Sequence, residues 1–270
     1  MKKAVAAIAA CVISAAMIAS FAACGEPESG VIDRVKEIAS ERIGSSEAWA
    51  AAFTDPTLGA SGTSYTFNNA NYSIENETVA VLSGNVSATS SRLTITTRTT
   101  GVLTVAGDKV YDYDASTMSS DDTSNDSSSE TVEEAYYALG ENSYKHYYKD
   151  GAGNWTMMTI SELGISLIDT GAYTGDLLEY ADEYDQFTWS DERQGYCKSV
   201  SFPSDALLGV TVNATLTLKF REGKIAAMLI SDAAVDPETD TSGLALSEIA
   251  ATVDVGVLIT YGGQSLSLPI

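Results

Sequence analysis

The chain has 270 residues, 44% of them hydrophobic, and a formal charge of −22 at pH 7. This balance excludes nucleic acid as a partner, because the sequence has no cluster of lysine and arginine that could neutralise phosphates. The same charge opposes contact between the folded body and an anionic membrane surface.

The first 23 residues have the pattern of an export signal. Lys2 and Lys3 precede a run from Ala4 to Ala23 that consists mostly of Ala, Val, Ile, Met and Phe. A positive start followed by an apolar core is typical of a secretory signal peptide. A transmembrane helix is the alternative, but the run only just reaches the ~20 residues required and is rich in weakly hydrophobic Ala. We therefore predict that residues 1–23 are removed as a signal peptide.

A cysteine stands at the border between this apolar run and a polar segment. The residues Phe21-Ala22-Ala23-Cys24 resemble the lipobox of bacterial lipoproteins, although Phe21 replaces the leucine that is usual in that family. The resemblance implies that Cys24 becomes the acylated first residue and attaches the protein to a membrane. The small residues before Cys24 also suit a general signal peptidase, so cleavage without acylation is the alternative.

The other cysteines support acylation. Cys11 lies inside the predicted signal, so only Cys24 and Cys197 remain in the exported chain. Exported proteins normally use cysteines in pairs, which makes a Cys24–Cys197 disulfide the alternative. Acylation explains the position of Cys24 better and leaves Cys197 as a lone, buried thiol. Each buried methylene of an acyl chain contributes ~0.8 kcal/mol, so several chains give a permanent anchor.

Residues 24–45 are predicted to form a lipidated tether and an opening helix. The tether from Gly25 to Gly30 is short, polar and interrupted by proline. Helical spacing then begins, with apolar residues at Val31, Val35 and Ile38. A second helical segment starts at Ser46, and its spacing places Trp49 and Phe53 on one side.

Beyond these helices the hydrophobic period changes to two, which indicates antiparallel strands. From Val210 to Arg221 apolar and polar residues alternate without a fault, and Glu222-Gly223 then turns the chain into a hairpin with Lys224–Ile230. The same pattern predicts further strands at Arg92–Arg98, Gly101–Val105, Lys109–Asp114, Ser143–Lys149, Trp155–Met158, Tyr196–Phe202 and Thr252–Tyr261. This number of long strands predicts a large sheet that coils to bury its apolar face.

Helical spacing returns once within the strand series. The capping-box spacing of Thr159–Glu162 is followed by a segment that places Leu177, Leu178, Ala181 and Tyr184 on one face. Helices inserted into an antiparallel sheet pack against its concave side, so the fold class is predicted to be α+β. Residues 46–270 are predicted to form a single β-rich domain.

Two polar segments are predicted to be solvated loops. Residues 118–134 are rich in Ser, Asp and Glu and contain no strongly apolar residue between Met118 and Val132, so we expect a mobile acidic loop there. Asp232–Gly243 is predicted to be a shorter acidic loop. Neither segment divides the chain, because strands of the same character lie on both sides.

The sequence contains no arrangement typical of an enzyme or a metal site. Its one histidine, His146, alternates with Tyr144 and Tyr148 along a strand, and no serine motif supplies a nucleophile for it. We therefore expect a structural histidine packed on tyrosines. Zinc would require more ligands than His146 and Cys197, and the acidic segments lack the spacing of a calcium loop. No cofactor is expected, and a hydrolase is the least favoured class.

Aromatic residues cluster between Tyr136 and Met158, and either a core stripe or a ligand wall would explain them. A binding site for a lipid or other hydrophobic ligand is usually an apolar hollow with few polar groups. The residues that we predict to line such a hollow are Tyr144, Tyr148, Trp155, Met157, Leu177, Leu178, Leu216 and Leu218.

The lipobox at Phe21–Cys24, the tether, the opening helix, the long strands and the helical insertion together resemble bacterial lipoproteins of the LolA, LolB and LppX superfamily. The resemblance covers residues 46–270 and rests on architecture, so it assigns a role to Cys24 alone. It implies an unclosed β-barrel whose hollow is plugged by helices and accepts acyl chains. The expected function is noncatalytic binding of a lipid or other hydrophobic ligand at the outer face of a membrane in the bacterial cell envelope. The alternative is a module with a filled core that binds another envelope protein.

Overall fold

The structure is a computed structural model of the chain. It describes residues 30–53, 70–84, 92–122, 125–139, 143–160, 177–204, 210–238, 246–262 and 265–270.

The described residues form one eleven-stranded antiparallel sheet with two short α-helices and two 3₁₀ segments. The strands are β1 Ala70–Gly84, β2 Arg92–Ala106, β3 Lys109–Asp122, β4 Asn125–Leu139, β5 Tyr144–Lys149, β6 Trp155–Ile160, β7 Thr188–Ser190, β8 Gly195–Ser204, β9 Val210–Arg221, β10 Lys224–Val235 and β11 Leu246–Tyr261. The helices are α1 Val31–Glu37 and α2 Ser46–Phe53, and the 3₁₀ segments are Leu177–Asp182 and Tyr184–Gln186.

The strand order is β6-β5-β4-β3-β2-β1-β11-β10-β9-β8-β7, so β6 and β7 are the two edges of a sheet that does not close. Strands that are consecutive in sequence pair with each other, except β6 and β7, which lie at opposite edges. The pair formed by β1 and β11 brings the two halves of the chain together. The prediction of an α+β fold with a large, curved, unclosed antiparallel sheet is therefore confirmed.

The pairing register divides the side chains of the sheet between two faces. Tyr72 of β1 lies opposite Leu103 of β2 and Ile259 of β11, and these side chains share a buried face. We call this the inner face, and the opposite one the outer face. Because side chains alternate along a strand, the register places every other residue of each strand on the inner face.

Helix α2 covers part of the inner face. Its spacing places Trp49 and Phe53 one turn apart, and both side chains are fully buried against Phe220 of β9. The Trp49 ring centroid lies 4.9 Å from that of Phe220, and the indole Nε1 donates a 2.7 Å hydrogen bond to the carbonyl of Tyr180. This bond ties the first 3₁₀ segment to the helix.

Helix α1 packs on the outer face of β1, β10 and β11. Val31 and Val35 are buried there with Leu229 of β10. Gly256 of β11 permits the close approach, because a Cβ atom at that position would lie 2.8 Å from the Ile32 Cα. The residues around the opening helix are therefore part of the folded domain.

A buried lysine holds the end of α1. The Lys219 Nζ of β9 donates hydrogen bonds of 2.9 and 2.6 Å to the carbonyls of Lys36 and Ile38. These carbonyls lie at the C-terminal end of the helix, where backbone acceptors have no partner within the helix. Burial lowers the pKa of Lys219, whose side chain is almost fully enclosed.

The prediction of a loop at residues 118–134 is wrong, because residues 118–122 belong to β3 and residues 125–134 belong to β4. Met118 lies opposite Ser129, and the Ser120 and Ser127 hydroxyls are 2.7 Å apart. Backbone hydrogen bonds form a β-ladder whatever the side chains are, and serine and threonine tolerate extended backbone. Pairing that begins at the apolar ends of the two strands therefore continues into the polar part.

Three smaller boundaries also differ from the prediction. The two strands expected between Arg92 and Val105 form the single strand β2. Thr159 and Ile160 belong to β6 and not to a helix, and residues 161–176 lie outside the described residues. The first four residues of the acidic loop predicted at Asp232–Gly243 belong to β10.

Candidate functional site

The inner face near the β6 edge carries a row of stacked rings. Tyr137 of β4 lies directly opposite His146 of β5, and their ring centroids are 4.7 Å apart with an interplanar angle of 8°. Tyr148, two residues further along β5, lies 5.0 Å from His146. Burial lowers the pKa of His146, so the imidazole is neutral at pH 7. The prediction of a tyrosine-packed histidine is confirmed.

Apolar side chains extend this row to the edge of the sheet and remain partly exposed. Tyr144 lies opposite Ile160, and His146 lies opposite Met158. The Met158 side chain is 45% exposed although it lies on the inner face. This part of the inner face therefore presents apolar surface that the described residues do not fully cover.

Two carboxylates lie on the same face, one strand further into the sheet. Asp112 of β3 is paired with Leu103 of β2 and Ala135 of β4, and Asp114 is paired with Gly101 and Glu133. Asp112 and Asp114 are only 5% and 7% exposed. In the part of the chain that the structure describes, the Oδ1 atom of each has no hydrogen-bond partner.

The environment of these carboxylates favours their neutral forms. Burial is the main cause that raises the pKa of Asp112 well above its ordinary value, and the nearby charges of Asp114 and Glu133 add to it. Burial and the charge of Glu133 raise the pKa of Asp114 to about 8. A carboxyl group in a place that disfavours its charge is characteristic of functional sites.

The outer face of the same strands carries a separate aromatic group. Tyr111 and Tyr136 stack with centroids 4.1 Å apart, and the Tyr136 ring lies 5.2 Å from Trp155 of β6. The Tyr111 hydroxyl donates a 2.5 Å hydrogen bond to Glu134, which also pairs with Lys149. These contacts pair the polar groups of Tyr111, Glu134 and Lys149 with one another, so this aromatic group resembles a closed structural cluster.

The structure does not bring the eight predicted ligand-wall residues together. Tyr144 and Tyr148 lie on the inner face, whereas the register places Trp155 and Met157 on the outer face. Leu216 and Leu218 of β9 are on the inner face but fully buried in the core. Leu177 and Leu178 begin the first 3₁₀ segment, and their side chains lie outside the described residues.

Sequence reasoning missed Asp112, Asp114, Tyr137 and Met158 as members of one surface. The available signal was the alternation of Tyr111 and Tyr113 with the two aspartates. That alternation showed that the aspartates share a face, but not that this face is the buried one.

Of the two cysteines that follow the predicted signal peptide, the structure describes Cys197 alone. Cys24 lies outside the described residues. Cys197 is a free thiol on β8, and its Sγ lies 3.5 Å from the Thr217 Oγ1. Its side chain is only partly buried, which corrects the expectation of a buried thiol.

The described residues contain neither a metal-binding cluster nor a membrane-spanning helix. Among them, no group of three or more His, Cys, Asp or Glu side chains is arranged to hold a metal ion. Within the same residues, no helix has the length and apolar character needed to cross a membrane.

Comparisons with known proteins extend only to the fold. No protein-family model matches the chain, and no curated protein matches it in sequence. Among solved structures, it is similar to a crystal structure of a β-barrel-like protein of a domain of unknown function, DUF1849, from Brucella abortus. That match has 9% identity and a TM-score of 0.26, and it covers 72% of this chain and 99% of that chain. The sheet of this chain is antiparallel and unclosed.

Proposed function

We propose that the chain is a noncatalytic lipoprotein of the bacterial cell envelope that binds a lipid or other hydrophobic ligand on the inner face of its sheet. Acyl chains on Cys24 anchor it outside the cytoplasm. The tether and the folded domain begin directly after this residue, which suits display at a membrane surface.

The observation that carries the proposal is the uncovered apolar surface on the inner face of β5 and β6. Tyr144, Tyr148 and Ile160 are partly exposed there, and Met158 is nearly half exposed. Exposed apolar groups that are clustered on one side of a sheet are characteristic of ligand or partner sites. β6 is the edge of the described sheet, and we expect a long, narrow molecule to enter this surface from that side.

The binding proposal is tested with the full chain carrying Cys24→Ser, which blocks acylation. Native mass spectrometry and titration with a fatty-acid analogue should detect a bound hydrophobic molecule. Met158→Glu should weaken this binding at least tenfold, because it places a charge on the inner face. Met157→Glu is the matched control, since Met157 is 43% exposed and lies on the opposite face of the same strand. Equal loss in both variants would contradict the assignment of the face.

The anchor is tested separately in cells. Wild-type protein should fractionate with membranes and incorporate a labelled fatty acid, and Cys24→Ser should do neither. Incorporation that persists in this variant, or a mature terminus elsewhere than Cys24, would overturn the anchoring proposal without affecting ligand binding.

A second candidate function is a protein interaction module, and one observation favours it. The inner face under α2 is filled, because Trp49 is fully buried among aromatic rings of the helix, the 3₁₀ segments and the sheet. A module of this kind would bind no apolar probe in the titration above. Site-specific photocrosslinking from Met157 at the exposed edge in intact cells would then give one reproducible envelope partner.

A further inference from the structure

Carboxylates and rings lie side by side on the inner face of β3, β4 and β5. Asp112 lies opposite Ala135 of β4, and Tyr137 is two residues further along that strand. Asp112 and Tyr137 are therefore diagonal neighbours, which are about 7–8 Å apart in an antiparallel pair. Tyr137 stacks on His146, which contacts Tyr148 in turn. The two aspartates of β3 therefore lie next to the row of rings on β4 and β5.

This face carries acidic groups without a compensating cation. Asp112, Asp114 and Glu133 all point to it, and the register of β1 to β6 places no lysine or arginine on the inner face of the described strands. The histidine is neutral at pH 7, because burial lowers its pKa. An anionic head group would be repelled here.

Each aspartate has one buried carboxyl oxygen without a hydrogen-bond donor among the described residues. A buried carboxyl oxygen without a hydrogen-bond donor is costly, since its hydration is lost and not replaced. Both Oδ1 atoms are in this state among the described residues, and both side chains are more than nine-tenths buried. A bound group that brings N–H donors would satisfy both at once.

We propose that Asp112, Asp114 and the rings of Tyr137 and Tyr148 form a subsite for a primary ammonium group carried by a hydrophobic ligand. The N–H groups donate to the Oδ1 atoms, and the ring faces attract the positive charge. A quaternary ammonium fits less well because it has no N–H donor. The inference rests on the proposed ligand-binding function and names the head group of that ligand.

The subsite also predicts how affinity depends on pH. The groups that face the aspartates are Glu133 and Tyr137 on β4 and His146 on β5, while β2 contributes no titratable side chain. Burial raises the pKa of Asp114 to about 8, so this carboxyl is protonated at pH 5. An ammonium ligand stays charged over this range, and its binding expels the proton. Affinity should therefore rise from pH 5 to pH 8.

The test is a series of probes that share a tail and differ in head group. Dodecylamine, dodecanol, dodecanoate and dodecyltrimethylammonium are titrated below their micelle concentrations against the full chain carrying Cys24→Ser. At pH 8 dodecylamine should bind about tenfold more tightly than dodecanol, and dodecanoate should bind most weakly. The series requires no substitution on the inner face, so its result does not depend on whether a variant of this face folds.

Variants then assign the preference to the aspartates. The double variant Asp112→Asn, Asp114→Asn should bind dodecylamine and dodecanol equally and should keep its affinity for dodecanol. Glu130→Gln, an exposed carboxyl that the register of β4 places on the outer face, is the charge-matched control and should retain the tenfold preference.

The outcomes separate this inference from the proposed function. Equal affinity for dodecylamine and dodecanol in the protein without inner-face substitutions would overturn the ammonium subsite. A preference for dodecylamine that persists in the double variant would also overturn it. Both results would leave hydrophobic binding intact. A preference for the quaternary probe over dodecylamine would also overturn the subsite. Failure of every dodecyl probe to bind would instead remove the proposed function and the subsite with it.

Discussion

The two halves of the inner face are built differently. Under α2, Trp49 is fully buried among rings from several elements, including Phe53, Phe187 and Phe220. On β3 to β6 the same face contains carboxyl oxygens without donors and a methionine that is nearly half exposed. One half buries apolar groups that stabilise the fold, and the other half keeps groups that cost free energy.

This difference indicates where function and stability reside. A protein keeps unfavourable groups where they serve a function, and the rest of the structure compensates for their cost. Here the aromatic core under α2 supplies stabilisation that the half near β6 lacks. The comparison predicts that substitutions in the first half change mainly stability, whereas those in the second change mainly binding and pH dependence.

The largest effect on stability is expected from Trp49→Ala. The change removes a fully buried ring and a hydrogen bond to the Tyr180 carbonyl, and should lower the free energy of unfolding by about 3–5 kcal/mol. Urea denaturation followed by circular dichroism measures this loss. Trp155→Ala, on the partly exposed outer face, is the matched control and should cost less than about 1.5 kcal/mol. Similar losses would contradict the division.

A second prediction extends the comparison to the outer face, where Lys219 is buried and donates two hydrogen bonds. Lys219→Met keeps most of the volume and leaves the Lys36 and Ile38 carbonyls without a donor, so it should cost about 1–3 kcal/mol. Lys224→Met removes the same charge at an exposed position and should change stability by less than about 1 kcal/mol. The prediction fails if the two variants unfold at the same urea concentration.

The sequence predicted the fold well where local pattern decides structure. The strand Val210–Arg221 was predicted residue for residue, because its alternation has no fault and Glu222-Gly223 ends it. The pattern failed at residues 118–134, where the side chains show no apolar face. Pairing there depends on strands that begin many residues away, so the composition of the segment does not predict it.

The candidate site was less predictable, because it depends on register. Tyr144 and Tyr148 were expected on one face since they are four residues apart on one strand, and this prediction is confirmed. Trp155 and Met157 fall on the other face because the turn at residues 150–154 sets the pairing of β5 with β6. A shift of one residue exchanges the faces, and sequence alone does not define that shift.

A smaller effect, opposite in sign, is expected from Asp114, whose Oδ1 atom has no hydrogen-bond donor among the described residues. A raised pKa in the folded state means that Asp114 stabilises the fold at acid pH and that this contribution is lost as pH rises from about 4 through about 8. Asp114→Asn should therefore stabilise the protein by about 1–3 kcal/mol at pH 8.5 and by much less at pH 4.5. Urea denaturation at both pH values gives the difference. Glu130→Gln, which is exposed, should show no such change with pH.

An equal gain from Asp114→Asn at both pH values would show that the substitution acts through packing and not through charge. A loss of stability at pH 8.5 would show that the carboxylate is paired in solution. Either result would remove the contrast between the two halves of the inner face.

The smallest effect on stability is expected from Tyr148→Ala. This variant is therefore followed through the pKa of His146. The sequence has one histidine, so the His146 ring protons give an isolated NMR titration. Burial lowers the pKa of His146, and removal of the adjacent Tyr148 ring should return the pKa toward its ordinary value. Trp155→Ala, on the opposite face, should leave the His146 titration unchanged. Dodecylamine bound on the inner face should lower this pKa further, because a positive charge disfavours the imidazolium. A His146 titration that responds to Trp155→Ala and ignores Tyr148→Ala would show that the ring faces the other side of the sheet.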